Sequence, residues 1–215
     1  MFGFTRQNLP ILGYEFSNFA NSAKKIFILG GVHGDEVEGV ACAFGLVENL
    51  LQSFPFRLHV TVVPAFNLDG VLAKTRTNAA GVDLNRNLPT KDWNPKILNV
   101  RYPPGPSANS EPENQALVGF MKNQKLDLIV SLHSYHPVIL VNGNCRKEAE
   151  ILKKWTGVEV REDIGYPTPG SLGTYGGVEG RVPTITYEIE RGMKLDRVVS
   201  MHVPALLELF KYLES

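Results

Sequence analysis

The sequence predicts a single α/β domain over residues 1–215. A mixed, largely parallel sheet is flanked by helices, with a functional site at the carboxyl edge of the strands. Three observations carry this. Short apolar runs bounded by turn residues alternate with amphipathic stretches, the pattern of interleaved strands and helices. A length of 215 residues suits one large domain, which buries roughly 70–75% of its unfolded surface. Hydrophobic residues at 43% and charged residues at 20% lie near globular averages, which excludes wholesale disorder, collagen-like repeats and a fibrous rod.

Taken in order, Lys25–Gly31 reads as a buried strand, Glu36–Leu51 as a helix, Arg57–Ala65 as a strand and Leu126–His133 as a second buried strand. Ser110-Glu111-Pro112-Glu113 has the residues of a capping box: Ser110 caps, Glu113 bonds back, and a helix runs to about Asn123. Arg146–Trp155 reads as a helix and Pro183–Glu190 as a strand. A closing helix spans Leu195–Leu213 and turns Val198, Val199, Leu206 and Phe210 inward. Pro204 is expected to kink or restart it, because proline lacks the N–H and clashes with the preceding turn. Two segments resist the pattern: Asn67 to Tyr102, rich in Asn, Gly, Pro and Arg, and Gly165–Gly180, which carries six of the twenty glycines. Long irregular segments inside compact domains are more often functional loops than filler, so both are expected to rim a site.

Twenty-two Lys+Arg balance twenty-two Asp+Glu, so no overall positive field favours a nucleic-acid backbone or an anionic membrane. No nucleic-acid and no membrane partner is expected. The N-terminus lacks the charged, apolar and small-residue regions of a signal peptide, and nowhere do about 18 apolar residues run together. Two cysteines, Cys42 and Cys145, imply no disulfide framework and fit reduced thiols in a cytoplasm.

The chemistry-bearing residues begin at Gly30-Gly31-Val32-His33-Gly34-Asp35-Glu36, where an imidazole and a carboxylate three residues apart follow an apolar strand. These are donors suited to zinc, and the glycines let the backbone fold so that both reach one ion. His133 ends the run LDLIVSLH and is placed to complete a His/Glu/His set. His136 is the rival third ligand, whereas His59 and His202 read as structural.

These pieces, with others in fixed order, resemble the carboxypeptidase A-type zinc metallopeptidase family. His33 and Glu36 match its first ligand pair, Gly81-Val82-Asp83-Leu84-Asn85-Arg86-Asn87 its central motif, and Leu132-His133-Ser134-Tyr135 the third-ligand segment. Thr186-Tyr187-Glu188-Ile189 matches the strand carrying its catalytic glutamate. The resemblance spans residues 26–190 and implies a zinc-carboxypeptidase-like fold with one zinc ion on His33, Glu36 and His133. It further implies Glu188 as general base, with Glu190 the fallback on the same strand face. Arg76 aligns with the arginine that stabilises the developing oxyanion, Asn85 and Arg86 with the pair that grips a substrate carboxylate, and Asp83 with the aspartate that orients His33. Tyr175 corresponds to the tyrosine that closes over substrate, and Tyr135 is a second aromatic there, with a cis peptide implied between Ser134 and Tyr135.

The resemblance implies a small peptide substrate bearing a free carboxylate. The small size, the absent leader and Gly170-Ser171-Leu172-Gly173 are most similar to the branch cutting the γ-D-glutamyl-diaminopimelate bond of cell-wall peptides. In that reading Glu179 and Arg181 have the right charges for the far amino-carboxyl end of diaminopimelate. The alternatives are a metallocarboxypeptidase on ordinary peptides, an aspartoacylase- or succinylglutamate desuccinylase-like deacylase, and a zinc- or peptide-binding module without turnover.

Overall fold

The run Lys25-Ile-Phe-Ile-Leu-Gly30 has no polar alternation, as expected of a strand covered on both faces. In the computed structural model, which describes residues 1–18, 23–97 and 99–215, it is strand β4, third of seven in one sheet. Ahead of it lie a small pair, β1 (Gly3–Phe4) and β2 (Pro10–Ile11), and the edge strand β3 (Tyr14–Ser17). After it follow α1 (Val37–Gln52), β5 (His59–Val63), α2 (Leu68–Ala73), a 3-10 turn at Leu84–Arg86 and α3 (Pro112–Asn123). The chain then forms β6 (Leu128–Tyr135), β7 (Val138–Asn142), α4 (Arg146–Thr156) and β8 (Val160–Arg161). A π-helical turn (Gly173–Val178), β9 (Thr184–Glu190) and α5 (Leu195–Glu214) complete it.

The sheet order is β3-β5-β4-β6-β9-β7-β8. β5, β4, β6 and β9 run parallel, β7 and β8 are parallel to each other, and β3 and β7 are antiparallel to β5 and β9. The mixed, largely parallel sheet read from the sequence is therefore the sheet observed. Alternation along β4 feeds two cores. Ile26 and Ile28 face a layer with Leu46 of α1 and Leu206 and Phe210 of α5, whereas Phe27 and Leu29 face Phe66, Leu117 and Val118. No helix among the described residues is long and apolar enough to cross a membrane.

Two expectations about helices change. α5 runs unbroken through Pro204: a proline removes one N–H and costs about 3 kcal/mol, which burial of Val203, Ala205, Leu206, Leu209 and Phe210 offsets. Of the residues expected inside, Val198, Leu206 and Phe210 are fully buried, and Val199 is half-buried against the core. At α3, Pro112 occupies the first turn, yet Ser110 and Glu113 make no capping box. Ser110 Oγ donates to Glu111 Oε1 at 2.7 Å, and Glu113 Oε1 accepts the Arg6 N–H at 2.9 Å. Other partners have taken the capping groups.

His202 is structural, as read. The Tyr187 hydroxyl donates to its Nδ1 at 2.5 Å in the core, and burial lowers its pKa from 6.5 to about 4. In the unfolded chain the imidazole gains a proton near 6.5, while the folded protein holds it neutral to about 4, so the unfolded state binds more protons between those values. Stability from this residue is therefore complete above pH 6.5 and lost as pH falls toward 4, by roughly 3 kcal/mol in all. Urea unfolding at pH 7 and pH 4.5 should show that His202→Leu loses less stability over that interval than the parent chain.

Candidate active site

The carboxyl edge of the sheet collects the chemistry. The turn after β4 carries His33 and leads into α1 through Glu36, and Gly34 in the turn and Gly39 in the first turn of α1 let the backbone come close to two neighbours. A Cβ on Gly34 would lie 1.9 Å from the Gly70 carbonyl carbon, and one on Gly39 2.6 Å from the Leu132 carbonyl oxygen. β4 pairs with β6 as far as Gly30 opposite Leu132, which brings His133 beside the turn, and β6 pairs with β9 with His133 opposite Glu188. Strand register thus sets Glu188 next to His133.

His33, Glu36 and His133 are all buried, and one ligand atom from each lies within 4.8 Å of the others. His33 Nδ1 is 2.8 Å from Glu36 Oε1, and His133 Nδ1 is 2.9 Å from Glu36 Oε2 and 3.1 Å from His33 Nδ1. The far nitrogens are engaged: His33 Nε2 meets Asp83 Oδ1 at 3.1 Å and His133 Nε2 meets Ser131 Oγ at 2.9 Å. With the Nε2 protons donated outward, two Nδ1 lone pairs and a carboxylate converge on one point. Such a set repels itself unless a cation lies between its members, so it fits a zinc ion of N/O ligation. Burial alone would lower the His33 pKa, but Glu36, with Asp83, outweighs it and lifts it to about 9, a proton standing where a cation fits. The same histidines hold Glu36 well below the usual carboxylate range despite its burial. Ser134 N–H donates to Glu36 Oε2 at 3.2 Å and fixes it further.

Glu188 is buried with Oε2 lacking any partner among the described residues. Its pKa is raised, first by burial and then by Glu36, with His133 opposing. Arg76 is anchored by Nε on Asp83 Oδ2 at 2.9 Å and by Nη1 on Glu36 Oε1 at 3.2 Å. Asp83 also takes the Asn85 N–H at 2.9 Å, so it ties His33, Arg76 and the following motif together. Asn85 Oδ1 accepts the Leu172 N–H at 2.8 Å, which leaves its Nδ2 as a donor. Arg86 is only 7% exposed and forms no ion pair among the described residues; its Nη1 donates to the Asn85 carbonyl at 2.6 Å. Burial lowers its pKa, with Asp83 opposing and Arg76 adding.

A cavity of about 290 Å³ joins these groups: His33, Glu36, Arg76, Asn85, Arg86, Tyr135 and Glu188 all line it. Asp83 stands behind Arg76. Both irregular segments contribute as expected, through Tyr102 and Tyr166. Sequence reasoning missed those two tyrosines, together with Asn142 and Thr186. Thr186 was findable, since period two places it on the face of Glu188.

Several expectations meet different geometry. Tyr175 does not line the cavity: the π-helical turn carries its ring into the second core at 2% exposure, under Arg181, whose Cζ lies 4.0 Å from the ring centroid. The aromatic from that segment that does reach the cavity is Tyr166. Glu179 and Arg181 pair with each other, outside the cavity. Glu190 and His136 are exposed, and His136 packs edge-on against Tyr135 instead of joining the ligand set. No cis peptide occurs among the described residues; β6 continues through Ser134–Tyr135 in register with β9, which demands ordinary extended backbone and a trans bond there.

Comparison with known proteins agrees with this geometry. A family model described as zinc carboxypeptidase matches residues 1–166. Murein peptide amidase A of Vibrio campbellii is 30% identical over 94% of this chain and 83% of its own length. The crystal structure of murein-tripeptide amidase from Escherichia coli O157 superposes with a TM-score of 0.80 at 28% identity, covering 100% of this chain and 90% of that one. Carboxypeptidase A from Helicoverpa armigera shares the fold, with a TM-score of 0.81 at 16% identity over 99% of this chain and 67% of that one.

Proposed function

Because the chain belongs to the zinc carboxypeptidase family and is a zinc metallopeptidase or amidase, we propose that it hydrolyses an amide bond beside a residue bearing a free carboxylate. The natural bond in this reading is the γ-D-glutamyl-diaminopimelate linkage of murein peptides. One observation carries it: His33 and Glu36 of a cation-fitting set completed by His133, an unpartnered buried oxygen of Glu188 and the buried, ion-pair-free Arg86 meet at one cavity among the described residues, lined by all of these but His133.

His33, Glu36 and His133 would hold a single zinc ion, which supplies Lewis-acid polarisation of the scissile carbonyl and makes water a better nucleophile. Glu188 takes the proton of the attacking water at its free Oε2 and delivers it to the leaving nitrogen. A raised pKa suits that exchange, since the group must both accept and release a proton. Arg76, fixed by Asp83 and Glu36, places a guanidinium where negative charge develops on the carbonyl oxygen. Arg86 and the Asn85 Nδ2 grip the substrate carboxylate.

The cavity wall favours a polar terminal residue. Asn142, Ser171, Thr174 and Thr186 line it, and the acids Glu162 and Asp163 stand with Arg101 on the same cavity. Side chains of both signs suit a terminus carrying both an amine and a carboxylate, as diaminopimelate does, better than an apolar one. Arg86→Ala is expected to raise KM roughly 10–100-fold, the worth of a charged hydrogen bond, with kcat changed only a few-fold. Steady-state kinetics test this, and a loss confined to kcat contradicts a role in holding the ground-state carboxylate.

A further inference from the structure

Arg76 and Arg86 are like charges on one cavity, and of the two only Arg76 is tied to carboxylates among the described residues. Arg86 has no such anchor, yet its head must be held steady to grip an anion. Tyr102 meets both: its ring centroid lies 4.8 Å from Arg76 Cζ and 5.0 Å from Arg86 Cζ, inside the roughly 6 Å reach of a cation over a ring face. We propose that Tyr102 is the positioning residue for this arginine pair, its ring face attracting both guanidinium groups and so offsetting their repulsion. The ring contact stands by itself; the consequence for turnover rests on the function proposed above.

The ring's place is fixed by the segment it serves. Asp83 N–H donates to the Pro103 carbonyl at 2.8 Å, Asn87 Nδ2 donates to the Pro104 carbonyl at 2.8 Å, and Tyr102 N–H donates to the Asn99 carbonyl at 2.9 Å. The chain just after Tyr102 is thus pinned at Asp83 and Asn87, which bracket Asn85 and Arg86. The long irregular segment before α3 thereby returns an aromatic face to the arginines, one of which the Asp83–Asn87 motif presents.

The test compares Tyr102→Leu, Tyr102→Phe and replacement of Tyr102 by 4-fluoro- and 3,4,5-trifluorophenylalanine, which weaken the negative ring face stepwise at nearly constant shape. Two readouts are used. The first is steady-state kinetics of the zinc-loaded protein on a carboxylate-terminated peptide; the second is NMR of the metal-free protein carrying ¹⁵N-arginine. Tyr102→Leu is expected to lower kcat/KM roughly 10–30-fold, raising KM through Arg86 and lowering kcat through Arg76. Tyr102→Phe restores most of that loss, and activity falls stepwise with added fluorine. In the NMR arm the Arg76 and Arg86 Hε signals carry upfield ring shifts that survive Tyr102→Phe and vanish in Tyr102→Leu. Equal activity across the fluorinated series overturns the proposal by reducing the ring to a spacer, and Tyr102→Phe as poor as Tyr102→Leu overturns it in favour of the hydroxyl. Unshifted arginine signals in the parent protein overturn it whatever the kinetics. If the parent turns over no peptide while its arginine signals respond as described, the proposed reaction fails and the ring contact stands.

Discussion

Glu188→Gln is expected to lower kcat by at least about a hundredfold while leaving metal content unchanged. General acid–base catalysis contributes roughly 10²–10⁴-fold, and the amide of glutamine cannot take the water's proton. The substitution preserves shape, and Glu188 is outside the convergent ligand set formed by His33, Glu36 and His133. Among the described residues its Oε2 is also the one carboxylate oxygen of the cavity that is buried without a partner, so nothing else in the site competes for it. Kinetics together with zinc per chain by plasma mass spectrometry separate the outcomes. Retained activity would move the base elsewhere, and simultaneous loss of metal would make Glu188 a ligand.

His133→Ala is expected to abolish activity and weaken zinc binding more than about a hundredfold, since losing a ligand exceeds the roughly 10–100-fold cost of losing an outer partner. Removing the ring takes away one of the two convergent Nδ1 lone pairs and leaves Glu36 Oε2 with only the Ser134 N–H among the described residues. His136→Ala serves as the contrast: that residue is exposed and outside the ligand set, so zinc affinity should not change. Competition with a chromogenic chelator reads both variants. Full zinc affinity in His133→Ala would mean that the three residues do not act together on one ion.

Which parts of this were legible in the sequence follows from physics at each place. β4 and β6 declare themselves because strands covered on both faces read as largely apolar runs, and β9 because Thr184-Ile-Thr-Tyr-Glu-Ile-Glu190 alternates polar and apolar residues with a strand's period of two. β7 does not, because Val138-Ile-Leu-Val-Asn142 follows β6 after only His136 and Pro137, with no helix between to signal a new strand. β3 is a four-residue edge strand and α2 a six-residue helix, too short for periodicity to register. His33, Glu36 and His133 could be read as donors that follow or end apolar strand runs, whereas Glu188 was legible through the family resemblance of Thr186-Tyr187-Glu188-Ile189. Tyr102 and Tyr166 could not, since both arrive on irregular segments whose path depends on distant hydrogen bonds such as Asp83 N–H to Pro103. Tyr175 misled for the same reason: Gly173, Gly176 and Gly177 approach Asn142 and Thr184 closely, and the tight turn they permit carries the ring away from the cavity.

Whether the site cuts an amide bond beside a carboxylate-bearing residue of murein peptides is tested most directly by mass spectrometry of products. The zinc-loaded protein is given L-alanyl-γ-D-glutamyl-diaminopimelate and, separately, a panel of ordinary peptides with free C-termini. Release of diaminopimelate from the first, with the panel left intact, is the expected result. Cleavage confined to the panel would contradict the murein assignment and make the protein a general carboxypeptidase, and silence toward both would contradict the proposed reaction itself.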